Sequence, residues 1–206
     1  MNILMTGLFT GNCFDGDECI AHGLEELGHN ITKINYRTTP FVNIKLLSIY
    51  KKYDLMIVGK GDSILPITLK KITIPKILWY GDQRKHVQKW VVNRAKCVDL
   101  FLHTTAGCRL NEYYEQTNTP SGFFMVPCQP SLYKKTKSYT HDLFFSGSPI
   151  TNLGDTARKE ILTYLSTQKN FYWAGKDTSS IIKDMHYGQA ITSSKILINI
   201  NHFNHF

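Results

Sequence analysis

The chain lacks most of the motifs by which a sequence declares its chemistry. The glycines at 7, 11 and 16 do not make the GxGxxG fingerprint, so a nicotinamide-dependent oxidoreductase is disfavoured. There is no GxxxxGK[ST] loop, no GxSxG turn and no HExxH pair, which leaves P-loop kinase, serine hydrolase and zincin readings without support. The five cysteines, at 13, 19, 97, 108 and 128, are odd in number and scattered, with no CxxC pair. That pattern speaks against a disulfide frame or a zinc site. No apolar run approaches the ~20 residues that span a bilayer, and the opening MNILMTGLFTGN has neither the basic nor the long apolar region of a signal peptide. The chain therefore reads as soluble and cytoplasmic, without internal repeats or low-complexity tracts.

What is present is ordinary globular material: 206 residues, 42% hydrophobic and 19% charged. That length exceeds one typical domain of ~100 to 150 residues but falls short of two complete nucleotide-binding domains. The formal net charge of +8 suits a polyanionic partner such as nucleic acid, or nucleotide phosphates; an equally good account is a solvated basic surface. The lysines are dispersed, with small clusters at Lys51-Lys52, Lys70-Lys71 and Lys134-Lys135-Lys137.

Short apolar, β-prone runs alternate with segments of helical spacing, the pattern of βαβ units on a parallel sheet. Strands are expected at Asn2–Thr6, Ile31–Asn35, Asp54–Val58, Ile74–Tyr80, Val98–His103 and Phe123–Val126. Helices are expected at Asp17–Leu27, stopped by Gly28, then Val42–Tyr50, Arg84–Lys96 and Thr105–Glu115. Pro127–Tyr139, with two prolines and a lysine run, reads as a linker. The pattern then restarts with strands at His141–Ser146, Asn170–Ala174 and Lys195–Ile200 around a helix at Asp155–Ser166. The expected architecture is α/β: a Rossmann-like parallel sheet with helices on both faces over residues 1–128, a linker at 129–140, and an incomplete second Rossmann-like domain over 141–206.

Ligands of such sheets bind at the carboxyl ends of strands, so the residues there are the candidates. Gly7 and Gly11 follow the first strand and either shape an acceptor cleft or form a plain loop. Asp82, in WYGDQR, is either a general base or the N-cap of the helix beginning at Arg84. His103, after LFLH, is a base, a ligand or a satisfied structural histidine. In FFSGS the small residues Gly147 and Ser148 can expose N–H groups to a phosphate, with Arg158 to pair it, or the segment is a simple loop with Arg158 solvated.

The ordered series MNILMTG, LGHNITKINY, YDLMIVGKGD, PKILWYGDQR, VDLFLHTTAG, HDLFFSGSPI, FYWAGK and SKILINI resembles the GT-B glycosyltransferases, and within them the CgeB-like (spore maturation protein) group. The resemblance implies sugar transfer from a nucleotide sugar to an acceptor hydroxyl, without a metal or other cofactor. It assigns the acceptor to residues 1–128, with Gly7, Gly11 and Asp62 lining its cleft and Asp82 or His103 as base. It assigns the donor phosphates to Gly147, Ser148 and Arg158. The acceptor itself is open; the basic charge admits modified DNA, and a noncatalytic module for nucleic acid or another anion is the alternative. The family continues past the SKILINI strand with an acidic residue for the donor ribose and a glycine-rich turn. Their lack here implies a truncated donor side, completed by another chain or by self-association through the C-terminal sheet edge.

Overall fold

The computed structural model of the chain describes all residues except 12–14, 83, 85, 135–137, 148–155, 176–181, 183 and 201–206. The chain divides into two compact units, Met1–Cys128 and Gln129–Phe206.

Six strands make the sheet of the first unit: β1 (Asn2–Gly7), β2 (Asn30–Asn35), β3 (Leu55–Gly59), β4 (Lys76–Tyr80), β5 (Leu100–His103) and β6 (Ser121–Phe123). All five pairings are parallel, in the order β2-β1-β3-β4-β5-β6. Chain direction across the sheet therefore reverses once, at β1. Right-handed crossovers then place the β1–β2 helix on one face and the later helices on the other. The packing bears this out. Ile3, Met5 and Ile57 bury against Ala21 of α1 (Gly16–Glu26). Leu4, Met56, Val58 and Leu78 face α2 (Val42–Ile49), α3 (Pro66–Lys71) and α4 (Lys89–Ala95) through Leu46, Leu69, Val91 and Val92. Tyr113 of α5 (Cys108–Thr117) joins the same cluster. Each fully buried aliphatic side chain of this kind contributes ~1.5 to 3 kcal/mol.

Several boundaries differ from expectation: β4 and β5 each begin two residues later, at Lys76 and Leu100, and the last strand of the chain spans Ser194–Leu197 and not Lys195–Ile200. Helix α4 begins at Lys89, with Gln88 at its cap, and not at Arg84. Helix α5 begins at Cys108, because the Thr105 N–H donates to His103 Nδ1 at 2.8 Å and turns the chain before a helix can start. β6 ends at Phe123, leaving Phe123, Met125 and Val126 more than half-exposed or nearly so. Helix α3 carries no apolar periodicity in the sequence; Pro66 opens it, at a position where a missing N–H costs nothing.

The second unit repeats the opening of the first. β7 (His141–Ser146), β8 (Phe171–Ala174) and β9 (Ser194–Leu197) form a parallel sheet in the order β8-β7-β9, with α6 (Thr156–Leu165) and α7 (Asp184–Thr192) in the connections. Adjacent residues of β7 point to opposite faces, and both Phe144 and Phe145 are buried, so this strand is covered on each side. On β9, by contrast, Ile196 and Leu197 are 57% and 53% exposed.

Candidate functional site

Where strand order reverses, a parallel sheet opens a crevice at its carboxyl edge. In the first unit that point lies between the ends of β1 and β3, at Gly7 and Gly59. Asp17, from the first turn of α1, occupies it and is buried. Its Oδ2 accepts the Leu8 N–H at 2.7 Å, while Oδ1 is buried without a hydrogen-bond partner among the described residues. Burial pushes the Asp17 carboxyl above its ordinary pKa; the Leu8 hydrogen bond opposes this, and Asp15 and Glu18 add to it. A Cβ at Gly7 would meet Asp17 Cγ at 2.6 Å, so this glycine makes room for Asp17. Gly11 lies out on an exposed loop, its N–H donating to Glu18 Oε1 at 3.3 Å.

One strand further along, Gly59-Lys60-Gly61 turns with Lys60 in the left-handed region at φ 52°, a conformation costly for a side-chain-bearing residue. The Lys60 N–H donates to Trp79 O at 2.8 Å, which ties the turn to β4. Its Nζ reaches across to Asp82 Oδ2 at 2.8 Å, and Arg84 Nη2 meets the same oxygen at 3.1 Å. Burial alone would raise the Asp82 carboxyl, but the two cations prevail and hold it below its usual range. Asp82 is thus an ion-pair centre at the sheet rim. It does not cap α4, which begins seven residues later in the chain at Lys89.

Arg94 fixes the floor beneath that turn. Its Nε donates to Gly61 O and Ile64 O at 2.7 and 2.9 Å, Nη2 to Asp62 O at 2.8 Å and Nη1 to Trp90 O at 3.0 Å. The guanidinium also lies over the Trp90 ring, 5.1 Å from its centroid. The Asp62 carboxylate pairs with Arg37 at 3.0 Å. Lys60, Asp62, Tyr80, Arg84, Gln88, Trp90 and Arg94 enclose a cavity of about 440 Å³. The structure thus brings Asp62 and the partners of Asp82 to one hollow, and leaves Gly7 and Gly11 out of its lining.

His103 sits differently from its expected catalytic place. It is 1% exposed, packed among Tyr80, Phe101 and Tyr113 at ring separations of 5.5, 5.9 and 5.2 Å. Burial lowers its pKa, with the Thr105 contact opposing, so the ring is neutral at pH 7. The structure thus places this imidazole within the aromatic core behind the strand end and not on the cavity lining.

In the second unit the order reverses at β7, so its crevice opens past Ser146. Gly147 follows with φ 149°, its N–H donating to Ala174 O at 2.9 Å and its carbonyl accepting Trp173 Nε1–H at 2.9 Å. Arg158, two residues into α6 and buried, returns its guanidinium to this turn: a Cβ at Gly147 would meet Arg158 Nη2 at 2.6 Å. The same guanidinium lies 5.0 Å from the Phe145 ring centroid. Gly147 and Arg158 are therefore together at the strand end; Ser148 falls outside the described residues. Among the described residues no three His, Cys, Asp or Glu side chains gather as a metal site, and no helix is long and apolar enough to cross a membrane.

No family model and no curated protein matches the chain. Among solved structures, MurG of Acinetobacter baumannii is similar over 97% of this chain and 68% of its own, with a TM-score of 0.45 and 12% identity. A UGT of Glycyrrhiza uralensis, solved with glycyrrhetinic acid 3-O-monoglucuronide, is similar over 96% of this chain and 62% of its own, with a TM-score of 0.47 and 10% identity. Both of these neighbours are GT-B glycosyltransferases.

Sequence reasoning missed Asp17, Lys60 and Arg94. Asp17 reads as an ordinary acidic residue in a helix's first turn. Lys60 carried a signal, being a lysine between two glycines directly after a strand. Nothing in the spacing of α4 separates Arg94 from a solvated arginine, because its partners are carbonyls some thirty residues earlier.

Proposed function

We propose that the chain is a GT-B-type glycosyltransferase, or part of one, that binds a nucleotide-sugar diphosphate on its second unit and an acceptor hydroxyl on its first. The observation that carries this reading is the seating of Arg158 against Gly147 at the carboxyl end of β7. A buried guanidinium beside a glycine turn, at the point where a parallel sheet reverses, suits a diphosphate through charge and backbone access together. The ordered motifs quoted above support the same assignment.

In such a reaction the acceptor oxygen forms a bond to the anomeric carbon, the bond from that carbon to the diphosphate oxygen breaks, and the nucleoside diphosphate leaves with the electron pair. Arg158 would stabilise the leaving charge. The acceptor proton passes to a base at the rim of the first unit, where the ionised Asp82 carboxylate pairs with two cations of the cavity, Lys60 and Arg84. Its two cations keep it a weak base until something else engages them. The CgeB-like affiliation and a DNA acceptor belong to this reading as finer proposals. So does a further chain segment beside β9, supported by the exposure of Ile196 and Leu197.

The test is release of nucleoside diphosphate from a panel of nucleotide sugars, followed by phosphorus NMR with the purified chain. Slow hydrolysis of one nucleotide sugar above the buffer rate supports the reading. Binding of duplex DNA without binding or hydrolysis of any nucleotide sugar would replace it with the noncatalytic alternative.

A further inference from the structure

We propose that the cavity of the first unit binds a small molecule bearing a phosphate or carboxylate, held by Lys60 and Arg84. The inference deepens the acceptor reading above and rests on it only in taking that molecule for the acceptor; the anion seat stands on the first unit alone.

Charge distribution points there. The cavity carries three cations, of which Arg94 is committed to four backbone carbonyls. Its own carboxylate, Asp62, is paired with Arg37. Lys60 and Arg84 remain, and both converge on one oxygen, Asp82 Oδ2. Two cations share a single carboxylate, so the group of Lys60, Arg84 and Asp82 alone carries one net positive charge. An anion with two or three free oxygens can engage both donors while Asp82 keeps one of them.

The scaffold around the pair is already set. Lys60 is held in a left-handed conformation between two glycines, and its turn is clamped from below by Arg94. Little ordering is left for a ligand to impose. Tyr80 and Trp90, edge to face at 5.5 Å, add an apolar wall against which a sugar ring or short carbon body can pack. A volume of about 440 Å³ matches a small-molecule site and is too small for a duplex. An anion that draws one of these two cations away from Asp82 would also leave that carboxylate a stronger base, so that binding and activation would be coupled.

The experiment is calorimetric titration of the full chain with inorganic phosphate and with glucose 6-phosphate, in wild type and in Arg84→Gln, Lys60→Gln and Asp82→Asn. The expected result is saturable binding of glucose 6-phosphate, weakened about tenfold by Arg84→Gln or Lys60→Gln, since each removes one charge-assisted contact. Asp82→Asn removes the competing carboxylate and is expected to tighten binding severalfold, an effect that a misfolded variant cannot imitate. Absence of saturable binding to wild type, equal affinity in Arg84→Gln, or weaker binding in Asp82→Asn overturns the proposal. So does duplex DNA that binds the same surface and resists displacement by glucose 6-phosphate. Nucleoside diphosphates titrated in parallel against wild type and Arg158→Leu report on the donor reading separately, because that substitution touches the donor seat and leaves Lys60 and Arg84 in place.

Discussion

The carboxylate of Asp17 fills the space that a side chain at Gly59 would occupy: a Cβ added there would fall within contact of both Asp17 Oδ1 and Cγ, the latter at 2.8 Å. The first turn of α1 and the end of β3 are therefore in register to within a methyl group, at the point where the sheet reverses.

Gly59→Ala should destabilise the chain by ~1 to 3 kcal/mol through overpacking. The check is urea unfolding, with a lower midpoint at unchanged slope. In an Asp17→Ala background most of that cost should disappear, because the two residues compete for one space; additive costs would show that Gly59 is needed for another reason.

Asp17 also makes a pH prediction. A carboxyl whose pKa is raised on folding holds its proton more tightly in the native state, so its contribution favours folding at low pH. That contribution is lost as pH rises from the ordinary value of 3.8 through the raised folded value. Asp17→Asn should therefore gain stability relative to wild type as pH climbs across that window. Unfolding free energies of both proteins measured in steps across it give the comparison, and a constant difference would contradict the buried, unpartnered Oδ1.

Arg94 supplies a third test. Arg94→Met leaves the carbonyls of Gly61, Asp62 and Ile64 without their donor, at ~1 to 3 kcal/mol for each group that water cannot reach. Arg94→Lys keeps the charge but not the fork that spans them, and should recover only part of the loss. Hydrogen exchange of amides 61–64 should quicken in both variants. Unchanged exchange there would mean that the turn holds itself.

Much of this architecture was legible in the sequence, and the failures have physical causes. Strand β7 has the bounds that its apolar run predicts, and β1 extends only one residue beyond them, since runs buried on both faces mark strands plainly. The start of α4 was misplaced because the amphipathic spacing from Arg84 onward is real, while Arg84 itself is drawn to Asp82. The order β2-β1-β3 leaves no trace in any one segment, so the tenancy of Asp17 between Gly7 and Gly59 was hidden. In the second unit the meeting of Gly147 and Arg158 could be anticipated, because both lie in one strand-turn-helix unit. His103 was legible only as a rim residue; its enclosure depends on Tyr113, supplied by a later helix.

The account is tested most directly by calorimetric titration of the chain with UDP, GDP, ADP, CDP and TDP, in wild type, Arg158→Leu and Gly147→Ala. A Cβ at Gly147 would strike the Arg158 guanidinium, so the two variants attack one seat from opposite sides. The predicted result is saturable binding of at least one nucleoside diphosphate by wild type, weakened tenfold or more in both variants, a loss of ~1.4 kcal/mol or greater. Failure of wild type to bind any of the five, or equal binding by all three proteins, would contradict it.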